Sequence, residues 1–554
     1  MGVLVSVVDD PLIPVIRDDN QRALLSLRNV FTESETLRGF APIDAATEVV
    51  LLRLCATVLA RALTVGEDAE GDEYRQREIL NHAWNTPPAQ IVAKVHDYLG
   101  HWSHRMILND PTRPFLQHPD LEVKNKNLVY LRVRILERSY SPETLETHKA
   151  FQAMIRQLHF DPGGVHATVG DSSAQESLKM CPGLTAQSFF LMGKNLFQTV
   201  LANVNTAMVG DPDDKPLWEL DDADCPNVRG QGGAGVIGPN GFNFSAHRSM
   251  KLTFSDDATQ VIAFACVGDP AKKKTYNPDL AVKYDPYCAR ATTLNRHGEE
   301  SEITPRNSNP SGILDVLAAL DTHKLNDGTI PRPAPVFASL LSLEVGKTSV
   351  LKDLAVVVVS TKNKMGSKVL DVVRETIKFD LRVSDESHID VREVVLAAFS
   401  DMRRAVSLYR GFLWEIHLGR CPSRKVSSRS APEVAFSHAI STVLREWLAS
   451  LDADTPASEA AALWEAKSTR FLEEHSRLFL LSLPDEAMAI KQATHTETSA
   501  KHNISAPSAR LKLISKYRNE FLTNVSEPED PSEGTQWDEL PNDEFVDDDE
   551  EEQP

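Results

Sequence analysis

The chain has 554 residues, 42% of them hydrophobic and 25% charged, a composition that is typical of globular proteins and excludes a fibrous or wholly disordered one. No apolar run approaches the roughly 18 residues of a membrane span, and the start of the chain lacks the basic region of a secretory signal. We therefore expect a cytoplasmic protein with no membrane partner.

The formal net charge of −20 is unevenly distributed along the chain. Residues 527–554 contain 14 Asp and Glu and no Lys or Arg, so the other 526 residues carry 59 basic and 65 acidic side chains. We expect 526–554 to be an acidic disordered tail, because like charges in a run repel one another. The alternative is that the tail has a function and competes with nucleic acid for basic grooves. The nearly balanced body can still carry a local basic stripe that binds phosphates.

The first 160 residues are predicted to be mainly helical. Apolar or alternating patterns favour strands at 3–8 and 128–136. Apolar residues that recur at spacings of three and four predict helices at 43–63, 72–85, 88–105 and roughly 140–158.

The middle of the chain, residues 160–380, is rich in predicted loops. Strands are expected at 249–254, 260–267, 354–360 and 370–379. The last two flank a polar connection at 361–367, which predicts a β-hairpin with a basic loop. Loops of this kind carry function more often than the scaffold does.

The character of the sequence changes after residue 384, where long helices are predicted. One apolar stripe at helical spacing consists of Val391, Val395, Ala398, Met402, Ala405, Tyr409, Phe412 and Ile416. Further helices are expected at 433–451, 458–483 and roughly 507–524. Four amphipathic helices joined by short connections favour an antiparallel bundle, since none of them could bury its stripe alone.

These patterns predict an α+β fold. A large mixed α/β N-terminal domain is expected at 1–380, a C-terminal four-helix bundle at 384–525 and the acidic tail at 526–554.

No motif supports catalysis, a metal or a cofactor. The six cysteines lie far apart and form no CxxC pair. Residues 230–235 fit GxGxxG, but neither the preceding strand nor the following helix of a dinucleotide site is predicted. The GKT sequence at 346–348 lacks the first glycine of a P-loop. We therefore expect a protein that is not an enzyme, with no metal and no cofactor.

Two short cationic segments lie on predicted loops. The first consists of Lys272, Lys273 and Lys274, and the second of Lys362, Lys364 and Lys368. Each can be read as solvated surface charge or as a contact to nucleic-acid phosphates, which a lysine on a loop reaches as a mobile point charge.

Several short patches, in order along the chain, resemble the CasA family, the large subunit of the type I-E CRISPR Cascade complex. They are VDDPLIPV (8–15), LSLRNVF (25–31), PFLQ (114–117), FDPGG (160–164), PGLTAQ (182–187), GKNLFQTVLANV (193–204), GPNGF (238–242) and SMKL (249–252).

The resemblance implies a non-catalytic subunit of an RNA-guided complex that acts in antiviral defence. Such a subunit contacts crRNA-bearing Cascade subunits, recognises the protospacer-adjacent motif in target double-stranded DNA and promotes strand separation and R-loop formation. It also helps to recruit the helicase–nuclease effector. In such systems base pairing reads the long sequence while protein reads a short duplex element. The minor groove displays a degenerate code, which suits the recognition of several motif variants.

The resemblance also implies nucleic-acid-binding residues. They are Phe160, Asp161, Gly163 and Gly164 in a first loop, Gly183 in a glycine loop, Lys272, Lys273 and Lys274 in a lysine finger, and Lys362, Asn363, Lys364, Met365 and Lys368 in a wedge-forming hairpin. Lys283 is the alternative for the finger. The hairpin tip lacks the glutamine of the family, so Met365 is the candidate for an apolar wedge between base steps.

Two alternatives of other classes remain open at this point. One is a metal-dependent hydrolase or nuclease that uses dispersed carboxylates, and the other is a protein scaffold that does not contact nucleic acid.

Overall fold

The computed structural model describes most of the chain. The described segments are 3–42, 44–67, 70–119, 121, 143–160, 164–168, 171–178, 181, 187–221, 238–244, 249–267, 283–288, 290–294, 300–303, 330–332, 334–344, 349–364, 368–384, 386–420, 431–483, 491–494 and 501–521.

Helices and short strands alternate over the first two thirds of these residues, and long helices dominate the rest. The helices are α1 (Leu27–Thr32), α2 (Ala45–Thr64), α3 (Glu73–Asn85), α4 (Pro88–Trp102), α5 (Thr147–Phe160), α6 (Leu196–Ala202), α7 (Pro239–Asn243), α8 (Pro335–Leu341), α9 (Ile389–Arg420), α10 (Ala431–Ser450), α11 (Ala457–Leu481) and α12 (Ala506–Phe521). The strands are β1 (Ile13–Arg17), β2 (Arg22–Leu25), β3 (Leu37–Phe40), β4 (Leu145–Glu146), β5 (Gly164–Thr168), β6 (Asp171–Leu178), β7 (Ser188–Met192), β8 (Ser249–Phe254), β9 (Gln260–Val267), β10 (Arg290–Leu294), β11 (Glu300–Ile303), β12 (Ile330–Arg332), β13 (Ala355–Lys364), β14 (Lys368–Lys378), β15 (Lys491–Thr494) and β16 (Lys501–Ile504). The predicted α+β class with a helical C-terminal region is confirmed.

The chain divides into two compact units. Unit 1 comprises Met1–His323, Ile330–Met402 and Ser437–Ser468, and unit 2 comprises Lys324–Thr329, Arg403–Phe436 and Thr469–Pro554. The division falls inside α9, α10 and α11, and the predicted domain limits at 380 and 384 stay predictions. No helix in the described part of the chain has both the length and the apolar character needed to cross a membrane.

α2 is the central helix of unit 1. Its N-terminus is capped by Asp44, whose Oδ1 accepts a hydrogen bond from the Thr47 backbone N–H over 2.7 Å. Almost every residue of the helix is buried, including Arg53 and Arg61. A helix that is buried on all sides must be covered by other elements, and α4, α5, α6 and β14 all contact it.

The sheets of the described residues are small, and all their strand pairs are antiparallel. The sheet that contains the predicted hairpin has the strand order β14-β13-β7. β13 supplies its core, since Val356 to Val359 are almost fully buried. The predicted β13–β14 hairpin is confirmed, with strands longer than expected.

The strand predicted at 3–8 is wrong. Only Ser6 forms a β-bridge, with Ile107, although the backbone of Val5 and Val7 is hydrogen-bonded to residues 106–108. A short apolar run shows that a segment is buried and does not show that it pairs as a strand. The strand predicted at 128–136 lies outside the described residues.

The four C-terminal helices follow the predicted pattern closely. All eight residues of the predicted apolar stripe of α9 are buried. In unit 1, the indole N–H of Trp464 in α11 donates to Asp401 in α9 over 3.2 Å. In unit 2, Tyr409 in α9 stacks on Phe436 in α10 with their ring centroids 4.0 Å apart, and His475 in α11 meets both rings edge-on. These contacts bury the stripes that no single helix could bury.

Candidate nucleic-acid interface

β13 and β14 continue beyond their sheet as a two-stranded ribbon. β7 pairs with β13 only from Ala355 to Val359, whereas the β13–β14 pairing continues to the Lys364–Lys368 pair. At a rise of about 3.3 Å per residue, the five residues after Val359 extend the ribbon by roughly 16 Å. Residues 365–367, which include Met365, lie outside the described residues.

The register of this ribbon groups three of the predicted lysines. Lys362 pairs with Asp371, a bulge follows, and Lys364 pairs with Lys368. The prediction that Lys362, Asn363, Lys364 and Lys368 lie in the loop is wrong, because the backbone of all four residues pairs within the β13–β14 ribbon. The register therefore brings three lysine positions to the far end of the ribbon.

The base of the ribbon is held by ion pairs within unit 1. The guanidinium of Arg374 in β14 donates to both carboxylate oxygens of Glu48 in α2, over 2.7 and 3.1 Å. Arg445 in α10 donates to Glu375, the next residue of β14, over 3.0 Å. A bidentate arginine–carboxylate pair fixes orientation as well as distance. The ribbon therefore projects from a fixed base.

The segment that contains Gly183 joins the sheet where the ribbon leaves it. Residues 182–186 lie outside the described residues, but they lead through the buried Gln187 into Ser188, the first residue of β7. Ser188 pairs with Val359, which is the last residue of β13 to pair with β7. The residues that follow the predicted glycine loop thus enter the sheet at the root of the ribbon.

The entry to the same segment lies against the end of α5. The thiol of Cys181 donates to the backbone carbonyl of Gln157, with 3.7 Å between sulfur and oxygen. α5 ends at Phe160, three residues after Gln157, and Phe160 is only 3% exposed. Phe160 is therefore placed to support the loop that follows it. Asp161 and Gly163 lie outside the described residues, and Gly164 begins β5.

The segment that follows the predicted lysine finger also reaches Ser188. Lys272, Lys273 and Lys274 lie outside the described residues, between β9 and residues 283–288. Cys288 forms a β-bridge with Ser188, and the Phe189 N–H donates to the Tyr287 carbonyl over 2.7 Å. Lys283, the alternative finger residue, is exposed, and its Nζ lies 4.9 Å from the centroid of the Tyr284 ring.

A buried ion pair holds residues 283–288 in place. Arg53 in α2 donates to Asp285 over 3.0 Å and to Asn243 over 3.0 Å, and its guanidinium lies 4.6 Å from the centroid of the Tyr287 ring. Burial works against the charge of Arg53, but Asp285, Cys288 and Tyr287 outweigh it, so the pKa of Arg53 is raised. Sequence reasoning missed this pair, and its one local signal is an arginine inside the apolar run of α2.

The described flanks of three predicted elements therefore meet at one end of β7. These elements are the segment with Gly183, the segment with Lys272 to Lys274, and the ribbon. The end of α5 contacts the entry to the segment with Gly183, at Cys181. The nucleic-acid-binding roles of the individual residues stay predictions. Among the described residues, no group of three or more His, Cys, Asp or Glu side chains is arranged to hold a metal ion.

Comparison with known proteins identifies the family of the chain. The family model of CRISPR-associated protein Cse1 matches residues 7–474. A curated relative from Thermus thermophilus, CRISPR-associated protein CasA/Cse1, is 28% identical over 227 residues, which cover 39% of this chain and 42% of that protein. That match therefore spans less than half of the relative's length.

Solved structures show the same fold. The crystal structure of Thermobifida fusca Cse1 has a TM-score of 0.73 at 17% identity, covering 94% of this chain and 98% of that one. A chain of a solved CRISPR RNA-guided surveillance complex has a TM-score of 0.64 at 17% identity, covering 94% of this chain and 100% of that one. Since the family model spans most of the sequence, the predicted resemblance to CasA is confirmed, and the chain belongs to the CRISPR-associated protein Cse1 family.

Proposed function

We propose that this chain is the non-catalytic large subunit of a crRNA-guided type I-E Cascade surveillance complex, in which it recognises the protospacer-adjacent motif of target duplex DNA. Family membership supports the assignment, as does the match to a chain of a CRISPR RNA-guided surveillance complex. The crRNA-bearing subunits and the target DNA are then its partners.

The observation that carries the proposal is the meeting of three chain segments at Ser188. A protein that reads a few base pairs needs several contacts on one surface, with phosphate contacts that set the register and other contacts that reach the base edges. The ribbon supplies lysines at its far end, and the segment with Gly183 begins beside its root. A glycine there would let the backbone approach a base edge closely.

Strand separation is the second part of the proposed role. A two-stranded ribbon is narrow enough to enter a groove of duplex DNA. Met365, at the tip of the ribbon, would insert between base steps, while Lys364 and Lys368 contact the phosphates on either side. Opening the duplex at the motif lets the crRNA begin to pair with its target, and the helicase–nuclease then joins the complex.

The test is reconstitution of the crRNA-loaded complex with a shortened ribbon. Replacing residues 363–370 by Asn-Gly, the residues of a tight hairpin turn, removes the tip and keeps the pairing of Lys362 with Asp371 at the end of the remaining ribbon. We expect this variant to join the complex as well as the parent does and to lose motif-dependent binding of duplex DNA.

Two outcomes would contradict the proposal and support its alternatives. Unchanged duplex binding by the shortened variant would favour a scaffold without nucleic-acid contacts. Metal-dependent DNA hydrolysis by the purified chain alone would favour an enzyme.

A further inference from the structure

Positive charge is concentrated in the part of unit 2 that precedes the acidic tail, although the protein as a whole is acidic. Its segments 403–436 and 469–526 contain 15 Lys and Arg and only 8 Asp and Glu. Unit 1 contains 43 Lys and Arg and 56 Asp and Glu. The acidic tail, residues 527–554, belongs to the same unit and begins six residues after its last helix ends. A basic part and a strongly acidic part thus lie in the same unit.

Four cations on the described surface of unit 2 are exposed and make no hydrogen bond or ion pair with another described residue. They are Arg403 in α9, Arg470 and Arg477 in α11, and Lys516 in α12. Other cations of these helices are already paired. Arg410 donates to Glu433 over 2.7 Å, Lys512 pairs with Glu415, and Arg518 pairs with Glu473.

The cations of α9 lie beside an exposed aromatic ring. Arg403, Ser407, Arg410 and Trp414 follow one another at intervals of four, three and four residues, and all four are exposed. Residues at these intervals lie on one face of a helix. The outer face of α9 thus carries two guanidinium groups and an indole that is 38% exposed.

We propose that the acidic tail docks on four exposed cations of its own unit, which are Arg403, Arg470, Arg477 and Lys516. The charges are complementary, and Trp537, Leu540 and Phe545 of the tail supply apolar groups for contact with Trp414. The tail begins six residues after α12 ends at Phe521, and its 28 residues span up to roughly 95 Å when extended, so reach is not limiting. A short tether gives an effective concentration of about a millimolar, so weak individual ion pairs suffice.

Docking of the tail has a consequence for nucleic acid. Its carboxylates would occupy guanidinium groups that phosphates would otherwise bind, so the tail would act as an internal competitor against DNA of unrelated sequence. Only this consequence builds on the proposed function; the docking itself does not.

The first experiment measures docking without nucleic acid. The chain ending at Ser526 is titrated with a fluorescent peptide of residues 527–554. We expect saturable binding that weakens at least about tenfold when salt rises from roughly 0.05 to 0.5 M, because salt screens exposed charges. No binding at the lower salt concentration would overturn the proposal.

Two charge-matched variants of the truncated chain locate the surface. The unit 2 variant carries Arg403→Gln, Arg470→Gln, Arg477→Gln and Lys516→Gln. The control variant carries Arg22→Gln, Lys94→Gln, Lys194→Gln and Lys378→Gln, which are exposed cations of unit 1. We expect the first variant to bind the peptide at least about tenfold more weakly and the control to bind as the parent does. Equal losses in both variants would show only a response to net charge and would overturn the assignment of the surface.

Zero-length carboxylate-to-amine cross-linking tests the intact chain. We expect links between tail carboxylates and Lys516 within one molecule, which a mixture of isotopically light and heavy chains identifies. If cross-links form only between a light chain and a heavy chain, the tail docks on a second copy of the protein. That outcome would overturn the intramolecular proposal.

The consequence for nucleic acid is tested with a duplex that lacks a recognition motif. We expect truncation after Ser526 to tighten its binding about tenfold at low salt, since the internal competitor is gone. Unchanged affinity together with normal peptide binding would contradict the role in nucleic-acid binding and leave the docking established, so the two failures are distinguishable.

Discussion

Arg53 and Asp285 form an ion pair that is closed to solvent: their side chains are 1% and 0% exposed, and 3.0 Å separates Nη2 from Oδ2. The pair joins the central helix of unit 1 to the segment that carries Cys288 to Ser188. Taking two charges out of water is costly, and the cost is recovered only with good geometry and further hydrogen bonds. Here Asn243 and the backbone N–H of Tyr287 supply them.

The first prediction concerns this pair. Asp285→Ala leaves the guanidinium of Arg53 buried without its counter-ion, and we expect it to lower the free energy of unfolding by about 3–5 kcal/mol. The control is the double variant Arg53→Met with Asp285→Leu, which removes both charges and fills similar volume. We expect it to recover most of the loss. Urea denaturation of the three proteins is the measurement, and equal destabilisation by the single and double variants would argue against an unpaired charge as the cause.

The contrast between α9 and this pair shows what the sequence can predict. The apolar stripe of α9 follows from residues three and four positions apart, and all eight of its members are buried. The partner of Arg53 lies 232 positions along the chain. No local pattern carries that information, because the pairing depends on how α2 packs against residues 283–288.

The second prediction concerns the lysines at the end of the ribbon. In the reconstituted complex, we expect Lys364→Gln with Lys368→Gln to weaken binding of motif-containing duplex at least about tenfold at roughly 0.1 M salt. The slope of log affinity against log salt should fall by about two units, one for each phosphate contact removed. Fluorescence anisotropy over a series of salt concentrations measures both quantities.

A matched control for this prediction lies at the opposite end of the same sheet. Lys378 pairs with Ala355, which pairs with Met192, and Lys194 follows two residues later. We expect Lys194→Gln with Lys378→Gln to change neither the affinity nor the salt slope. If this control loses as much affinity as the ribbon variant, the effect reflects total charge and the ribbon has no specific role.

The hairpins show a second limit of sequence analysis. β13 and β14 were predictable because β-branched residues fill both strands around a polar turn. β15 and β16 pair in the same way, but the sequences KQAT and KHNI carry little β-branched or aromatic character, and their hairpin was missed. The local sequence also could not predict that the β13–β14 ribbon continues beyond the sheet, because its length outside the sheet depends on where β7 stops pairing with β13.

The third prediction concerns the buried carboxylate of Asp214. Its oxygens accept hydrogen bonds from the backbone N–H groups of Asn240 and Gly241, each over 2.8 Å. Burial raises the pKa of Asp214 to about 6, although these two hydrogen bonds and the charge of Arg61 act in the opposite direction. The folded protein therefore holds the proton more tightly than the unfolded chain, whose carboxyl has the ordinary value of 3.8.

Because the pKa of Asp214 is higher in the folded protein than in the unfolded chain, the free energy of unfolding depends on pH. The stabilisation from the bound proton is fully present below about pH 4 and is lost as the pH rises through about 6. Two pKa units correspond to about 3 kcal/mol. We expect the stability of the parent relative to Asp214→Asn to fall by about 2 kcal/mol of this total between pH 4 and pH 6, as measured by urea denaturation at several pH values. A constant difference across this range would show that Asp214 does not titrate there.

The fourth prediction compares two glycines. Gly238 has a φ of −158°, an extended conformation that any residue adopts, so its backbone does not require glycine. A Cβ atom on Gly238 would lie 2.6 Å from Oδ2 and 2.8 Å from Oδ1 of Asp214, whereas one on Gly100, inside α4, would meet nothing within 4 Å. We therefore expect Gly238→Ala to lower the free energy of unfolding by about 1–3 kcal/mol through overpacking.

The control is Gly100→Ala, which should raise the free energy of unfolding by about 0.5–1 kcal/mol, because alanine is the better helix former. Thermal and urea denaturation of both variants measure these changes, and a stabilising Gly238→Ala would mean that the carboxylate of Asp214 is free to move away from the helix that it caps.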